Sequence, residues 1–384
     1  MPTETPRGRT VEPLASAPAV EPEGRTSAPP SLSVILPSYN HGQWLPRSLG
    51  ALVAQAGPSI EIVLIDDGST DNSAAVIADF CRRHDCIRLI RHDANRGTLA
   101  AVRSGIAAAR GELVLFAAAD DFVLPGLLAR AEAALREHPD AAFFCSEVAV
   151  VNRARQVVGY RPVVPPRFTS GYVSPAAMRR EIQRTDNWFF GPSVVYRRQL
   201  LAEIGYFDES LGTLCDGLAQ RLLAFHHGFY FAAEILAVWM VDPQSLSAQT
   251  SMSVTESRRV IDAGTHWIAA HFPADVRDNY RAVFGRRLRF NMARQRLLGE
   301  SGRNGADGVC DLLGWGPHMR TLTRFLHRVP LLGNVLVLAL ITLRMRPMSI
   351  PALVTSWWWK RVPQREQRAA LEHRLADAGS PGLA

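Results

Sequence analysis

Two pairs of aspartates each follow a short apolar run in the first third of the chain. Asp66 and Asp67 come directly after EIVLI, and Asp120 and Asp121 follow LVLFAAA. An apolar run that ends in carboxylates is typical of a strand whose carboxyl end lies at the ligand-binding edge of a parallel α/β sheet. Carboxylate oxygens suit hard cations such as Mg²⁺ or Mn²⁺ and the phosphates that these cations carry. The two pairs therefore predict a cation- and phosphate-binding edge.

The elements that must position these carboxylates alternate between strand and helix patterns. Short apolar runs predict strands at 33–36, 60–65, 87–91, 113–116 and 141–151. Apolar residues at helical spacing predict helices at 44–56, 98–109, 125–136, 199–204 and 217–225, and a further helix that follows residues 69–71 and ends at residue 81. This alternation predicts a mostly parallel sheet with right-handed crossovers. Residues 153–175, with four prolines, are expected to form a loop, and 245–257 a linker or mobile loop.

Five segments in a fixed order resemble one family: SVILPSYN, EIVLIDDGSTD, NRG, LVLFAAADD and FDESLGTLCDGLAQRLLAFHHG. Together they look like a family 2 glycosyltransferase, and the resemblance runs from about residue 31 to about residue 241. It implies a Rossmann-like GT-A fold, of the nucleotide-diphospho-sugar transferase type, with a mostly parallel central sheet. It also implies an inverting enzyme that uses a UDP-, dTDP- or GDP-linked sugar.

The resemblance implies a donor site at the ends of the first strands. Tyr39 can lie against the base, and Asp67 can accept hydrogen bonds from the base or the ribose. The guanidinium of Arg96 suits phosphate oxygens, although a plain surface arginine is the alternative. Asp66 has a structural alternative, the capping of the following turn. The residues expected to bind the nucleotide-sugar are Pro37, Ser38, Tyr39, Asn40, Asp67, Arg96 and Asp120.

For the divalent cation, the resemblance places the metal ligand on Asp121, with Asp120 near the ribose. Many members of the family carry a further aspartate two positions before Asp120, where this chain has Ala118. The departure leaves the expected ligand in place but removes one carboxylate from the family's usual aspartate motif. The alternative is that the two aspartates cap the helix that follows them.

For the catalytic base, the family commonly has Glu-Asp after a Phe-Asp-Glu segment. Here FDESL is present, but the pair reads Cys215-Asp216, so Asp216 is the carboxylate expected to act as general base. Asp208 and Glu209 are the alternatives, although a structural turn explains them equally well. On the acceptor side the resemblance points to Trp188, whose ring can stack on a sugar, while Phe189 and Phe190 are explained equally well by packing.

The C-terminal third differs in composition. Net charge is +7 with a pI of about 9.5, and residues 277–368 hold 17 Lys or Arg against 5 Asp or Glu. Residues 329–343 are almost uncharged, but a spanning helix needs ~20 apolar residues. With the aromatic and basic residues 357–361 nearby, segment 329–361 predicts contact with an anionic membrane surface. A buried helix, a protein partner and a true span are alternatives, and a solvated basic surface explains the charge alone.

The predicted organisation has three parts. Residues 1–30 are rich in Pro, Thr, Ala and Glu and are expected to be disordered, 31–250 are expected to form the catalytic domain, and 251–384 a basic helical extension. The absence of a secretory signal in 1–30 and the scattered placement of five cysteines favour a cytoplasmic protein, and the predicted membrane contact would place it on the inner face of the cell membrane.

The expected reaction moves a sugar to a hydroxyl of a glycan or lipid-linked glycan in bacterial envelope or surface polysaccharide synthesis. A non-catalytic nucleotide-sugar or glycan-binding module is the main alternative, motivated by Ala118 and Cys215. A nucleotidyltransferase and an NAD-dependent oxidoreductase are disfavoured, because PSYNHG follows the first strand instead of a glycine-rich phosphate loop. The basic third contains no recognisable nucleic-acid-binding module, so nucleic acid is not an expected partner.

Overall fold

The computed structural model describes residues 29–182, 185, 191–241, 253–298, 305–329, 332–347, 352, 354 and 368–373. Within these residues the chain forms one ten-stranded mixed sheet with helices on both sides, followed by a group of helices. The mixed α/β architecture with a mostly parallel sheet and a helical C-terminal region confirms the predicted fold class. Trp188 and most of residues 1–30 lie outside the described residues.

The sheet has the order β3-β2-β1-β4-β9-β6-β10-β5, with β7 beside β6 and β8 beside β10. Strands β3, β2, β1 and β4 are mutually parallel, β9 is antiparallel to β4 and β6, and β6 is parallel to β10. The strands are β1 Leu32–Ser38, β2 Ile60–Asp66, β3 Ile87–Arg91, β4 Leu113–Phe116, β5 Phe122–Val123, β6 Phe143–Val151, β7 Val157–Arg161, β8 Gly171–Val173, β9 Val195–Arg197 and β10 Phe229–Met240.

The helices cover both faces of the sheet and then continue beyond it. Those of the first 241 residues are α1 Leu45–Val53, α2 Ser73–Arg83, α3 Thr98–Ala108, α4 Leu127–Glu137, α5 Pro175–Glu181, α6 Arg198–Glu203 and α7 Cys215–His227, with short 3-10 helices at Gly191–Ser193 and Glu209–Leu214. Those of the C-terminal part are α8 Val254–His271, α9 Ala274–Leu298, α10 Gly305–Leu313, α11 Pro317–His327 and α12 Gly333–Met345.

Strands β1, β2 and β6 are buried along their whole length or nearly so, as expected for strands covered on both faces. At their amino ends a buried Glu61 carboxylate joins three neighbours. It lies 3.0 Å from Arg88 Nη1 and 2.9 Å from Arg110 Nη2, and it accepts a hydrogen bond from Ser33 Oγ at 2.7 Å. This cluster fixes the edge of the sheet opposite to the predicted ligand-binding edge.

The main apolar core continues past the sheet into the C-terminal helices. Phe225 of α7 packs against Phe272 and Tyr280, with ring centroids 5.4 and 5.8 Å apart. Gly264 of α8 lies so close to Leu214 that an added Cβ would come within 2.9 Å of a leucine methyl carbon. The domain boundary predicted near residue 250 lies outside the described residues, and the packed core spans it.

Several local predictions were wrong. The proline-rich region 153–175, expected to be a loop, contains β7 and β8, which pair with β6 and β10. The expected linker 245–257 overlaps α8, which begins at Val254 where Ser253 accepts a hydrogen bond from the N–H of Glu256. Strand β10 had not been predicted, although it is the partner of β6 in the centre of the sheet.

The apolar run in the C-terminal third forms α12, which packs on its neighbours through Gly333, Val337 and Ile341. Its opposite side leaves apolar residues in solvent, with Val335 60% and Leu343 75% exposed. None of the helices in the described part of the chain combines the length and apolar character needed to cross a bilayer.

Candidate active site

The predicted site residues lie at the carboxyl ends of the parallel strands. Ser38 ends β1, Asp66 ends β2, and Asp120 and Asp121 lie between β4 and β5. Because β9 is antiparallel to β4, the 3-10 helix before β9, which begins at Gly191, lies at this same edge. The topology therefore brings most of the predicted residues to one edge of the sheet.

Asp67 is the centre of a group of hydrogen bonds and is 2% exposed. Its Oδ1 accepts the N–H of Arg96 at 3.0 Å, and its Oδ2 accepts the N–H of Gly97 at 2.9 Å. His92, directly after β3, places Nδ1 2.6 Å from Oδ1. Asp67 thus holds the Arg96-Gly97 turn against the sheet edge.

The loops after β1 and β2 are tied together by Asn40. Its Oδ1 accepts the N–H of Thr70 at 2.8 Å, and its own N–H donates to Ser69 Oγ at 3.0 Å. Asp66 caps the same turn by accepting the N–H of Ser69 at 3.1 Å, which confirms the structural alternative for that residue. Asn40 therefore braces the loop and does not present a free amide oxygen to a ligand.

Two neighbours of Asn40 are placed differently. Tyr39 is 38% exposed, as a ring that lies against a base requires. Ser38 is buried, and its Oγ has no hydrogen-bond partner among the described residues. Pro37 precedes it in β1, in register with Ile65 of β2.

The two aspartates before β5 differ in their environment. Asp121 is buried, and its Oδ1 accepts the N–H of Met240 at 2.7 Å, which fixes this carboxylate to the end of β10. Burial, together with the neighbouring charge of Asp120, raises the pKa of Asp121 well above its usual range. Asp120 is more exposed than Asp121, so of the two it is the carboxylate that is better placed to meet a ligand.

Asp216 lies in the first turn of α7 and is partly buried. Its Oδ2 lies 3.8 Å from the position that a Cβ on Gly191 would occupy, so this carboxylate lies beside the 3-10 helix at the sheet edge. Burial raises the pKa of Asp216, while the N–H of Gly217, 2.6 Å from Oδ1, and the charge of Arg221 act in the opposite direction. A carboxylate with a raised pKa at a helix start is suited to accept a proton.

The neighbours of Asp216 do not offer the same chemistry. Burial raises the pKa of the Cys215 thiol to about 12, so the residue in place of the family's usual glutamate stays neutral. Asp208 caps the 3-10 helix by accepting the N–H of Ser210 at 2.9 Å, and Glu209 lies 3.0 Å from Arg103. These contacts favour the structural role that was the alternative for Asp208 and Glu209.

Two groups near the site were missed in the sequence. His92 follows β3 directly, so the rule that identified Asp66 and Asp120 would also have found it. Tyr196, on β9, accepts a hydrogen bond from Gln220 at 2.6 Å, and burial followed by the charge of Asp216 raises its pKa well above its usual range. No sequence signal marks Tyr196, because only the reversal of β9 brings it beside α7.

The model of glycosyl transferase family 2 matches residues 33–205. An uncharacterized glycosyltransferase of Nostoc sp. is 33% identical over 239 residues, which is 61% of this chain and 71% of the relative. The chain belongs to glycosyltransferase family 2. The poly-beta-1,6-N-acetyl-D-glucosamine synthase of Staphylococcus epidermidis is a more distant relative of this glycosyltransferase, 22% identical over 56% of the chain and about half (51%) of the synthase.

Solved structures share the fold of this family 2 glycosyltransferase at low identity. The Staphylococcus aureus protein TarS, in complex with UDP-GlcNAc, superposes with a TM-score of 0.55 at 17% identity, covering 88% of this chain and 92% of that one. The mannosyltransferase PcManGT from Pyrobaculum calidifontis, in complex with GDP-Man and Mn²⁺, has a TM-score of 0.50 at 16% identity, covering 93% and 90%.

Proposed function

We propose that this glycosyltransferase transfers a sugar from a nucleotide-diphosphate sugar to an acceptor hydroxyl with inversion, and that Asp216 is its general base. The observation that carries the proposal is the position of Asp216 at the ligand-binding edge. It lies in the first turn of α7, burial raises its pKa, and its Oδ2 lies beside Gly191 at the edge of the sheet. Asp216 takes the proton of the acceptor hydroxyl as that oxygen attacks the anomeric carbon, so no covalent enzyme intermediate is needed.

The donor is proposed to lie along the ends of β1, β2 and β4. Tyr39 offers an exposed ring to the base, and the turn held by Asp67 brings Arg96 to the diphosphate. The buried hydroxyl of Ser38 has no protein hydrogen-bond partner among the described residues, so no protein group competes with the donor for it. Asn40 contributes by fixing the loop that carries Tyr39.

A divalent cation, Mg²⁺ or Mn²⁺, is proposed to accompany the donor. The described residues include no group of three or more His, Cys, Asp or Glu that would hold a metal unaided. Mg²⁺ is commonly bound by one or two carboxylates together with substrate phosphates, so the Asp120–Asp121 pair fits. Because Asp121 is fixed to Met240, we assign the direct contact to Asp120 and a supporting role to Asp121. The cation would neutralise charge on the diphosphate.

The acceptor is proposed to be a glycan or lipid-linked glycan of a bacterial envelope or surface polysaccharide. The similarity to a poly-N-acetylglucosamine synthase supports this class, and Trp188 stays a prediction for the acceptor side. The exposed apolar side of α12, with Arg344 and Arg346 at its end, supports contact with an anionic membrane surface. Sedimentation with anionic but not neutral vesicles, reduced by Leu343→Glu, is the expected result.

Nucleotide release from a panel of UDP-, dTDP- and GDP-sugars tests the proposed function. The full chain is assayed with Mn²⁺, with Mg²⁺ and with a chelator, beside Asp120→Asn and Asp121→Asn. We expect metal-dependent release from one donor class and a larger loss of metal response for Asp120→Asn. Binding of nucleotide-sugar without turnover, even after addition of membrane lipid extract as a source of acceptor, would instead favour the binding-module alternative.

A further inference from the structure

Arg47 lies at the ligand-binding edge, on the side away from the predicted nucleoside site. It is in the first turn of α1, which follows β1, so it lies near the carboxyl ends of the parallel strands. Its guanidinium carbon is 3.7 Å from the centre of the Phe122 ring, and Phe122 directly follows Asp121. Phe122 belongs to β5, which is at the opposite end of the sheet order from β3. Arg47 is therefore beside the Asp120–Asp121 pair but away from the residues expected to bind the nucleoside.

The guanidinium of Arg47 is half-buried and has neither a carboxylate nor a hydrogen-bond partner among the described residues. Its only close contact of note is the face of the Phe122 ring. Three other arginines that lie over aromatic rings each have a carboxylate partner, in the pairs Arg83–Asp79, Arg179–Asp275 and Arg368–Glu147. Arg47 thus differs from them in lacking a protein group that neutralises its charge.

The surroundings of Arg47 are unfavourable for a cation. Burial, followed by the positive charge of Arg155 in the turn between β6 and β7, lowers the pKa of Arg47 to about 10. The guanidinium therefore stays charged at neutral pH, although it has lost part of its hydration and lies near a second cation. Buried charges in proteins are paired, because an unpaired charge away from water is costly. An oxyanion bound at Arg47 and Arg155 would offset both effects.

We propose that Arg47, together with Arg155, binds an oxyanion of the acceptor, which is a phosphate or carboxylate carried by a lipid-linked or charged glycan. This inference rests on the proposed function, because it names the charge class of the acceptor at the same edge. A guanidinium presents a planar fork of N–H donors that matches the oxygens of either group. Contact with Phe122 holds the guanidinium in place, which reduces the entropy lost when the anion binds. The diphosphate of the donor is not the assigned ligand, because Asp120, the cation and Arg96 are proposed to hold it.

The test separates possible acceptors by charge. Membrane lipid extract and aqueous polysaccharide from the same bacterial cells are each divided on an anion exchanger into a neutral and an anionic fraction. Sugar transfer by the full chain from its preferred donor is then measured with the four fractions. We expect transfer to an anionic fraction, and whether that fraction is lipid or aqueous identifies the source of the oxyanion. Equal or better transfer to a neutral fraction overturns the inference but leaves the proposed function intact. No transfer to any fraction and no nucleotide release from any donor overturn both.

Variants at Arg47 separate anion binding from packing. Arg47→Gln and Arg47→Met both remove the charge, and methionine keeps an apolar contact with Phe122. Both should raise KM for the anionic fraction about ten-fold, because a charge-assisted hydrogen bond is lost, while KM for the donor stays within about two-fold. Neither should lower the melting temperature by much, because the lost cation had no carboxylate partner among the described residues.

The matched control is Arg83→Gln, which removes another arginine placed over a phenylalanine, at the end of α2 and paired with Asp79. It should leave both KM values unchanged. If folded Arg47→Met keeps the parent KM for the anionic fraction, the role of Arg47 is packing and the inference fails. A rise in KM for the donor in place of the acceptor also overturns it, because Arg47 then acts on the donor.

Discussion

Replacement of Asp216 by asparagine separates the chemistry of this residue from its part in the fold. The side chain of asparagine has nearly the same shape, and its oxygen can still accept the N–H of Gly217 that Asp216 accepts at 2.6 Å. What disappears is the ability to take a proton. General base catalysis contributes about 10²–10⁴ in rate, so kcat is expected to fall by that factor, or by about 2.7–5.5 kcal/mol in activation free energy.

The stability of the Asp216→Asn variant is expected to move in the other direction. Burial raises the pKa of Asp216, so the ionised carboxylate is less favourable in the folded chain than in the unfolded chain. This unfavourable contribution is present above the raised pKa and is absent below the pKa of the unfolded chain. At neutral pH the neutral asparagine removes it. The melting temperature should therefore be equal to or higher than that of the parent chain.

The assay is steady-state transfer with the preferred donor, with thermal melting and nucleotide titration on the same samples. Asp208→Asn is the matched control: asparagine caps a helix about as well as aspartate, so both the stability and kcat should stay close to those of the parent chain. Donor affinity should be unchanged in both variants. If Asp216→Asn retains more than about a tenth of the parent kcat, the loss is smaller than the smallest contribution expected of a general base. The base then lies elsewhere.

Three further perturbations have defined outcomes. Arg221→Gln removes a positive charge that lowers the pKa of Asp216, so the acid limb of the kcat profile should move to higher pH; an unmoved limb argues against Asp216 as the titrating group. Glu61→Ala breaks a buried ion pair far from the site and should lower the free energy of unfolding in urea by about 3 kcal/mol with kcat retained. Gly68→Ala, at φ 74° and with its Cβ 2.6 Å from the backbone of Ala94, should lower stability by about 2 kcal/mol or more and weaken nucleotide binding.

Much of the first half of the fold followed from the sequence because its strands are buried on both faces. Strands β3 and β4 were predicted at the bounds they have, and β2 within one residue, since short apolar runs flanked by polar or charged residues leave little ambiguity. The placement of the site followed from a single rule, that polar residues after parallel strands meet at one edge. His92 obeys this rule too, because it directly follows β3.

The parts that could not be predicted depend on contacts distant in sequence. Strand β7 is only partly buried along its length, so no apolar run marks it, and its pairing with β6 alone makes it a strand. The different environments of Asp120 and Asp121 likewise come from Met240, more than a hundred residues later. The occupancy of the Asp67 oxygens required the positions of three separate backbone and side-chain donors.

The aromatic packing between α7 and α9 has a practical consequence for dissecting this chain in the laboratory. A fragment that ends at residue 250 would lack Phe272 and Tyr280, which pack on Phe225. It would therefore expose an apolar surface on α7, the helix that carries Asp216. Such a fragment should aggregate on expression. Limited proteolysis should instead release a stable fragment that extends at least to the end of α9, near Leu298. This fragment is the smallest unit suited to crystallisation with a donor.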